Sequence, residues 1–178
     1  MNGKELRPVA TLIDPQGFDV TPLPWEEAQA RIDAARWYWL TTVHPNGRPH
    51  TRPVLAVWTD GVLCTTSSRA AQKGRNLRRD PRCSVAVMAD DMHIVLEGTA
   101  SPVESGPALD RVAEAYRSKY DWPVTVVEGG FEAPYAAPGA GPAPYEPYQI
   151  APSVVYGFGT AEPIVHRHTR WRFSEAGA

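Results

Sequence analysis

A row of cations behind two serines is the part of this sequence best suited to chemistry. A helix is predicted from Ser67 or Ser68, with a serine as its N-cap, to about Arg79. Its cations, and one that follows it, are Arg69, Lys73, Arg75, Arg78, Arg79 and Arg82. Backbone N–H groups at a helix N-terminus bind phosphate well when hydroxyls and cations lie close by. The segment therefore predicts a phosphate site for a phosphate-bearing cofactor.

Two of these cations are the strongest candidates. Arg69 and Lys73 are four residues apart, so a helix would place them on one face, near its N-terminus. Cations are unfavourable at that end of a helix, and a bound anion would compensate them. The later arginines fit a solvated face or match the helix dipole. Six cations against Asp80 alone give this segment a charge of +5, while the whole chain carries −2.

The preceding strand adds further polar groups. Side chains alternate along a strand, so Arg48, His50 and Arg52 are predicted to share one face, either as the wall of a site or in solvent. Thr65 and Thr66 end the adjoining strand and are placed to offer hydroxyls to the same anion.

The elements that must position these groups are mostly strands joined by hairpins. Strands are predicted at 37–43, 49–58, 62–66, 83–88, 93–103, 153–160 and 166–173, and helices at 25–37, 67–79 and 105–120. Asn46-Gly47 and Asp60-Gly61 supply turns. The expected fold is mainly β, an antiparallel barrel with peripheral helices. Alternating βαβ units, a GxGxxG and a P-loop are absent from the sequence, which excludes the common nucleotide folds.

The length fits a single domain, residues 1–178. Residues 1–20 are expected to form an extended arm. Residues 133–152 are predicted to be a Pro-rich loop, since six prolines fall among small residues there. Such a loop is either a mobile lid over the substrate or an insertion without a role.

Composition narrows the class of protein. A net charge of −2 gives no general attraction for nucleic acid or an anionic membrane. No apolar run approaches a membrane span, and the first residues lack the apolar core of a signal peptide, so a cytoplasmic protein is expected. Cys64 and Cys83 have no ligand spacing and are expected to be reduced and structural. His166 and His168 would share a strand face but lack further ligands, so no metal is expected.

A family resemblance rests on the order of several motifs. They are L-T-T-V-x-P-N-G-R-P-H at 40–50, D-G-V-L at 60–63, K-G-R-N-L-R-R-D-P-R at 73–82, H-I-V-L-E-G-T-A-S-P-V at 93–103 and T-R-W-R-F at 169–173. Together they cover most of residues 35–173. The chain resembles the pyridoxamine 5′-phosphate oxidase-like superfamily, and within it the flavin/deazaflavin oxidoreductase branch.

This resemblance implies a six-stranded split β-barrel that pairs as a homodimer, with cofactors in clefts at the interface. The implied cofactor-binding residues are Arg52, Thr66, Ser67, Arg69, Lys73, Asn76 and Trp171. In the oxidases proper an arginine and a lysine are adjacent, whereas three residues separate Arg69 from Lys73 here. Which of the two reaches the phosphate is therefore left open.

The implied activity is hydride transfer between a deazaflavin (coenzyme F-420) or FMN and a small organic substrate. F-420 carries a polyglutamate tail, which Arg75, Arg78 and Arg79 would suit. No catalytic acid or base is identified. The alternative is a non-catalytic protein that binds or carries flavin, haem or another tetrapyrrole. The net charge argues against nucleic-acid binding, and the C-terminal R-W-R-F against a true pyridoxamine phosphate oxidase.

Overall fold

The computed structural model describes residues 7–103, 106–136 and 141–174. Within these ranges the chain forms three helices, α1 (Trp25–Ala34), α2 (Gln72–Arg79) and α3 (Pro107–Tyr120). The strands are β1 (Val9–Leu12), β2 (Tyr38–Val43), β3 (Pro49–Val54), β4 (Ala56–Thr59), β5 (Val62–Ser68), β6 (Arg82–Met88), β7 (Met92–Pro102), β8 (Thr125–Val127), β9 (Gly130–Glu132), β10 (Tyr145–Gly159) and β11 (Thr169–Arg172).

These strands pair into one antiparallel sheet that curls around a core. Its main path runs β1-β11-β10-β7-β6-β2-β3, and β5 joins β10 to β4. The long strand β10 is the centre of this arrangement. Its first half pairs with β5 and its second half with β11, while β7 runs along both halves. The predicted mainly β fold with peripheral helices is confirmed, although several short strands raise the count above six.

Helices α1 and α3 each bury one apolar face. α1 buries Trp25, Ala28 and Ile32 against the barrel core. α3 covers a second apolar cluster with four side chains at helical spacing, Leu109, Val112, Ala113 and Tyr116. Both helices therefore owe their stability mainly to burial of one apolar face.

The predicted strand at 49–58 is divided. β3 ends at Val54 and β4 begins at Ala56, so that β3 pairs with β2 while β4 pairs with β5. Pro53 lies in β3, which ends the main path of the sheet. An edge strand tolerates proline because one of its sides needs no ladder hydrogen bonds.

The predicted Pro-rich loop is wrong from residue 145 onward, where β10 runs. Pro147 has no N–H to give, but its carbonyl accepts a hydrogen bond from the N–H of Val103 at 2.9 Å. Pro152 lies at the register shift between β10 and β7, where the ladder is already interrupted. Prolines at such positions interrupt the ladder little. Residues 137–140 of the predicted loop lie outside the described residues.

The structure also corrects the predictions for the two ends of the chain. Within the expected arm 1–20, Val9–Leu12 forms β1 and pairs with β11, while residues 1–6 lie outside the described part of the chain. The last strand begins at Thr169, so His166 and His168 precede it and do not share a strand face. Instead, His166 stacks on Phe18 with ring centroids 3.8 Å apart, and His168 meets the ring of Phe158 edge-on. Of the helices in the described ranges, none has the length and apolar character needed to cross a membrane.

Candidate cofactor site

Helix α2 begins later than its sequence suggests. Ser67 and Ser68 belong to β5, where they pair with Glu146 and Tyr145 of β10, so the predicted serine N-cap is wrong. The N-cap is Ala71, which makes no side-chain capping bond, and the first turn contains no acidic residue. The N-terminal N–H groups of α2 therefore have no carboxylate close to them in sequence, which leaves that end suited to an anion.

Lys73 lies in this first turn and is buried, with 5% of its surface exposed. Burial lowers the pKa of the Lys73 ammonium, and the positive charge of Arg52 lowers it further. Both effects disfavour the charged lysine in the protein alone. An anion placed between the two cations would reverse the second effect.

Ser67 lies directly beneath this helix. A Cβ atom built on Gly74 would stand 2.8 Å from the Oγ of Ser67, so the glycine allows α2 to approach β5 closely. The Ser67 hydroxyl donates to the carbonyl of Ser68 at 3.1 Å. Thr66 precedes it on the same strand and is also buried. The structure therefore brings Ser67 and Lys73 to the junction between β5 and α2, whereas Thr66 faces the other side of β5, toward Tyr116.

Arg52 approaches from β3. It lies opposite Leu40 in the ladder, on the face of the sheet that turns inward. Its guanidinium is exposed and donates to the carbonyl of Thr51 at 2.7 Å. Of the predicted Arg48–His50–Arg52 wall, the two arginines are exposed but His50 is buried. Burial and the neighbouring arginines lower the pKa of His50, which keeps its imidazole neutral at pH 7.

Asn76 ties α2 to the barrel. Its side chain is fully buried, and its Nδ2 donates to the Oγ1 of Thr42 on β2 at 2.9 Å. Its Oδ1 accepts a hydrogen bond from Gln72 at 2.7 Å. Both ends of the amide are thus used within the protein, and the bond to Thr42 fixes α2 against β2.

Arg69 differs from its prediction. It precedes α2 in a turn and does not share a helix face with Lys73. Its Nε lies 2.6 Å from Glu146 on β10, and Arg78 approaches the other oxygen of the same carboxylate at 2.5 Å. Arg78 also donates to the carbonyl of Arg69 at 2.9 Å, which closes the group. Sequence analysis missed Glu146, because it stands within the proline-rich run far along the chain.

The other arginines of α2 bond to nearby groups of the protein. Arg75 donates to the carbonyl of Ala70 and to the side chain of Gln72, and Arg79 donates to the carbonyl of Val43. Their guanidinium groups remain exposed and, within the described residues, form no ion pair.

Trp171 is not among the residues around Lys73 at the start of α2. Its indole is fully buried in the barrel core, and its Nε1 donates to the carbonyl of Leu23 at 2.9 Å. Within the described residues no group of three or more His, Cys, Asp or Glu side chains is arranged to hold a metal ion.

The opposite face of the sheet carries a partly exposed apolar row. The ladder places Trp39, Ala86, Val95 and Tyr156 in one row across β2, β6, β7 and β10. Trp39 is 47% exposed, and Met88 on the same face is 72% exposed. A groove of about 490 Å³ at the edge of this face is lined partly by hydroxyl groups, including those of Thr41, Ser84 and Thr99. Neither Lys73 nor Arg52 lines this groove.

Part of the chain matches the sequence pattern of one known protein family. A family model described as pyridoxamine 5′-phosphate oxidase matches residues 24–144. No curated protein sequence matches the chain.

Among solved structures, three similar ones have identities of 19–23%. A conserved hypothetical protein from Mycobacterium tuberculosis is 23% identical, with a TM-score of 0.59 over 76% of this chain and 84% of that one. An F-420 reductase is 21% identical, with a TM-score of 0.52 over 71% and 94%. A haem-binding protein from Mycobacterium smegmatis is 19% identical, with a TM-score of 0.60 over 83% and 61%. At these identities the likeness is one of fold.

Proposed function

The chain belongs to the pyridoxamine 5′-phosphate oxidase family, and from this premise we propose that it is an oxidoreductase. It would transfer hydride between a deazaflavin (coenzyme F-420) or FMN and a small organic substrate. The observation that carries this proposal is the buried Lys73 in the first turn of α2, close enough to Arg52 for the two charges to affect each other.

The residues around Lys73 at the start of α2 fit a phosphate. A phosphate monoester carries a charge near −2 and accepts several hydrogen bonds. Lys73 and Arg52 supply two cations, and the first turn of α2 supplies backbone N–H groups without a competing acidic residue. Ser67 supplies a hydroxyl at the same junction. We assign the phosphate to these three side chains and treat Arg69, which is engaged by Glu146, as a secondary contact.

The protein's contribution is to bind and orient. The bound cofactor supplies the hydride chemistry. Lys73 and Arg52 fix its phosphate end, while the hydrogen bond from Asn76 to Thr42 holds α2 in the position that presents Lys73. Because His50 is neutral and buried, it adds no charge that would compete with these cations for the phosphate.

The choice between the two cofactors rests on two exposed arginines of α2, Arg75 and Arg79. Arg75 and Arg79 remain exposed, and within the described residues they pair with no carboxylate. They would suit the acidic tail of F-420, whereas FMN has no such tail. The structural similarity to an F-420 reductase supports the same direction.

A homodimer is part of this proposal. The partly exposed apolar row that begins at Trp39, together with Met88, is a surface that a second copy of the chain would cover. Pairing of identical copies through one such face gives a two-fold dimer.

Haem binding without turnover is the second candidate, supported by the similarity in fold to a haem-binding protein. It would not depend on a phosphate contact at Lys73, since haem carries carboxylates and no phosphate.

The test is titration of ligand-free protein with FMN, F-420 and haem. Cofactor fluorescence follows the first two, and the Soret absorbance follows haem. Binding of F-420 or FMN, followed by a change in cofactor redox state when candidate substrates are added, is expected. Binding of haem alone would overturn the oxidoreductase proposal in favour of the carrier.

A further inference from the structure

A second cavity lies beside the C-terminal end of α3 and is built from residues that the cofactor proposal does not use. Its volume is about 360 Å³, within the range of small-molecule sites. Four aromatic rings and one guanidinium group dominate its lining, which includes Arg36, Trp37, Leu55, Tyr120, Trp122 and Tyr135.

Three of these rings are held in place by hydrogen bonds. The buried Trp122 donates from Nε1 to the carbonyl of Tyr135 at 3.1 Å. The Tyr135 hydroxyl donates to the carbonyl of Asp121 at 3.1 Å. The Tyr120 hydroxyl donates to the carbonyl of Ala56 at 2.8 Å and accepts from its N–H at 3.2 Å. The aromatic lining is therefore preformed, so a ligand would lose little affinity to ordering it.

Two of the rings leave a large apolar area in contact with water. Trp37 is 58% exposed and Tyr135 is 55% exposed, although both line the same cavity. Burial of apolar surface is favourable in proportion to the area removed from water. A flat, apolar ligand in the cavity would gain this contribution from both rings.

Two cations lie near the Tyr120 ring of this cavity, and the carboxylate of Asp33 acts on the same ring. The guanidinium carbon of Arg36 lies 5.9 Å from the ring centroid of Tyr120, and the Nζ of Lys119 lies 5.6 Å from the same centroid. Lys119 is engaged by the carbonyl of Asp33 and the hydroxyl of Tyr38. Arg36, by contrast, forms no salt bridge within the described part of the chain. A guanidinium group at the side of an aromatic cavity favours a carboxylate, which it can bind with two parallel hydrogen bonds.

We propose that this cavity binds a planar aromatic molecule that carries a carboxylate. The ring of the ligand packs against the aromatic lining, and its carboxylate pairs with Arg36. Leu55 comes three residues after Arg52, so the cavity adjoins the strand that leads to the phosphate site. The inference goes beyond the proposed function and does not depend on it, because it needs neither the cofactor nor Lys73.

The test compares two probes that differ in charge, 2-naphthoate and the neutral 2-naphthalenemethanol, by isothermal titration calorimetry. We expect naphthoate to bind more tightly. Arg36→Gln should weaken naphthoate binding by about tenfold or more, as expected for loss of a charge-assisted pair, and should leave the neutral probe unaffected. Arg172→Gln, which removes an exposed arginine on β11, is the matched control and should change neither.

Trp37→Ala is the second variant, and its exposed side chain makes it safe for folding. It should weaken both probes, because it removes apolar contact rather than charge. Equal affinity for the two probes, no binding of either, or an unchanged naphthoate affinity in Arg36→Gln would each overturn the inference. Titration of Arg36→Gln with FMN and F-420 should give the wild-type affinity, which separates failure here from failure of the proposed function.

Discussion

Replacement of Lys73 by methionine should separate its role in binding from its role in folding. Methionine keeps the length and apolar stem of the buried side chain and removes the charge. A hydrogen bond that involves a charged group contributes about 1.5–3 kcal/mol. Since each 1.4 kcal/mol is a factor of ten, Lys73→Met should raise the Kd for FMN or F-420 by roughly 10- to 100-fold.

Although Lys73→Met should weaken cofactor binding, it should not lower the free energy of unfolding. Burial and the charge of Arg52 lower the pKa of Lys73, so the folded protein holds that proton less tightly than the unfolded chain. The resulting cost to the free energy of unfolding is fully present below the folded pKa and disappears as pH rises through the unfolded value. At pH 7 the methionine variant should therefore be as stable as wild type or more stable.

Two assays test the expected loss of affinity and the expected retention of stability. Fluorescence titration gives the Kd, and urea denaturation of ligand-free protein gives the free energy of unfolding. Arg82→Met is the matched control, because Arg82 belongs to the same row of cations but is exposed and paired with Asp80. It should leave the Kd unchanged. A wild-type Kd in Lys73→Met would refute the phosphate assignment, and a large loss of stability would show that the lysine supports the fold.

Three further predictions follow from other features. Cofactor affinity should fall as pH rises through the pKa of Lys73, and this fall should start at a lower pH than for an ordinary lysine. The check is the Kd of the wild type and of Lys73→Met, measured between about pH 7 and about pH 10; the Kd of the variant should not show this dependence on pH. Trp39→Glu places a charge in the exposed apolar row and should convert a dimer to a monomer in light scattering; a dimer that persists would place the interface elsewhere. Gly98→Ala would put a Cβ atom 2.3 Å from the carbonyl oxygen of Ala151, and should lower the free energy of unfolding by about 1–3 kcal/mol in urea, whereas an unchanged value would contradict this close approach.

Local patterns were sufficient for much of the fold. The spacing of Leu109, Val112, Ala113 and Tyr116 predicted the buried face of α3, and all four are buried. Strands with clear turns between them, such as β2 and β3 around Asn46-Gly47, were also predictable. In these cases the residues that decide the structure are close together in sequence.

The start of α2 was not predictable in this way. Two serines before a helical segment are typical of an N-cap, but here the ladder between β5 and β10 continues through Ser67 and Ser68. Their partners, Glu146 and Tyr145, are nearly 80 residues away along the chain. A local capping preference of about 1 kcal/mol is easily outweighed by this pairing and the burial of both serines.

The same distant segment pairs with two of the cations in the 69–82 row. Prolines at 147 and 152 exclude a helix but not a strand, because the carbonyl of Pro147 still accepts a hydrogen bond and Pro152 lies at a register shift of the ladder. The strand they form brings the carboxylate of Glu146 to Arg69 and Arg78, and the net charge of that group falls to +1. Lys73 lies close enough to Arg52 for that like charge to lower its pKa. From the sequence Arg69 and Lys73 were equal candidates for the phosphate. The long-range ion pair engages Arg69 within the protein, which is why we treat Arg69 as the secondary contact.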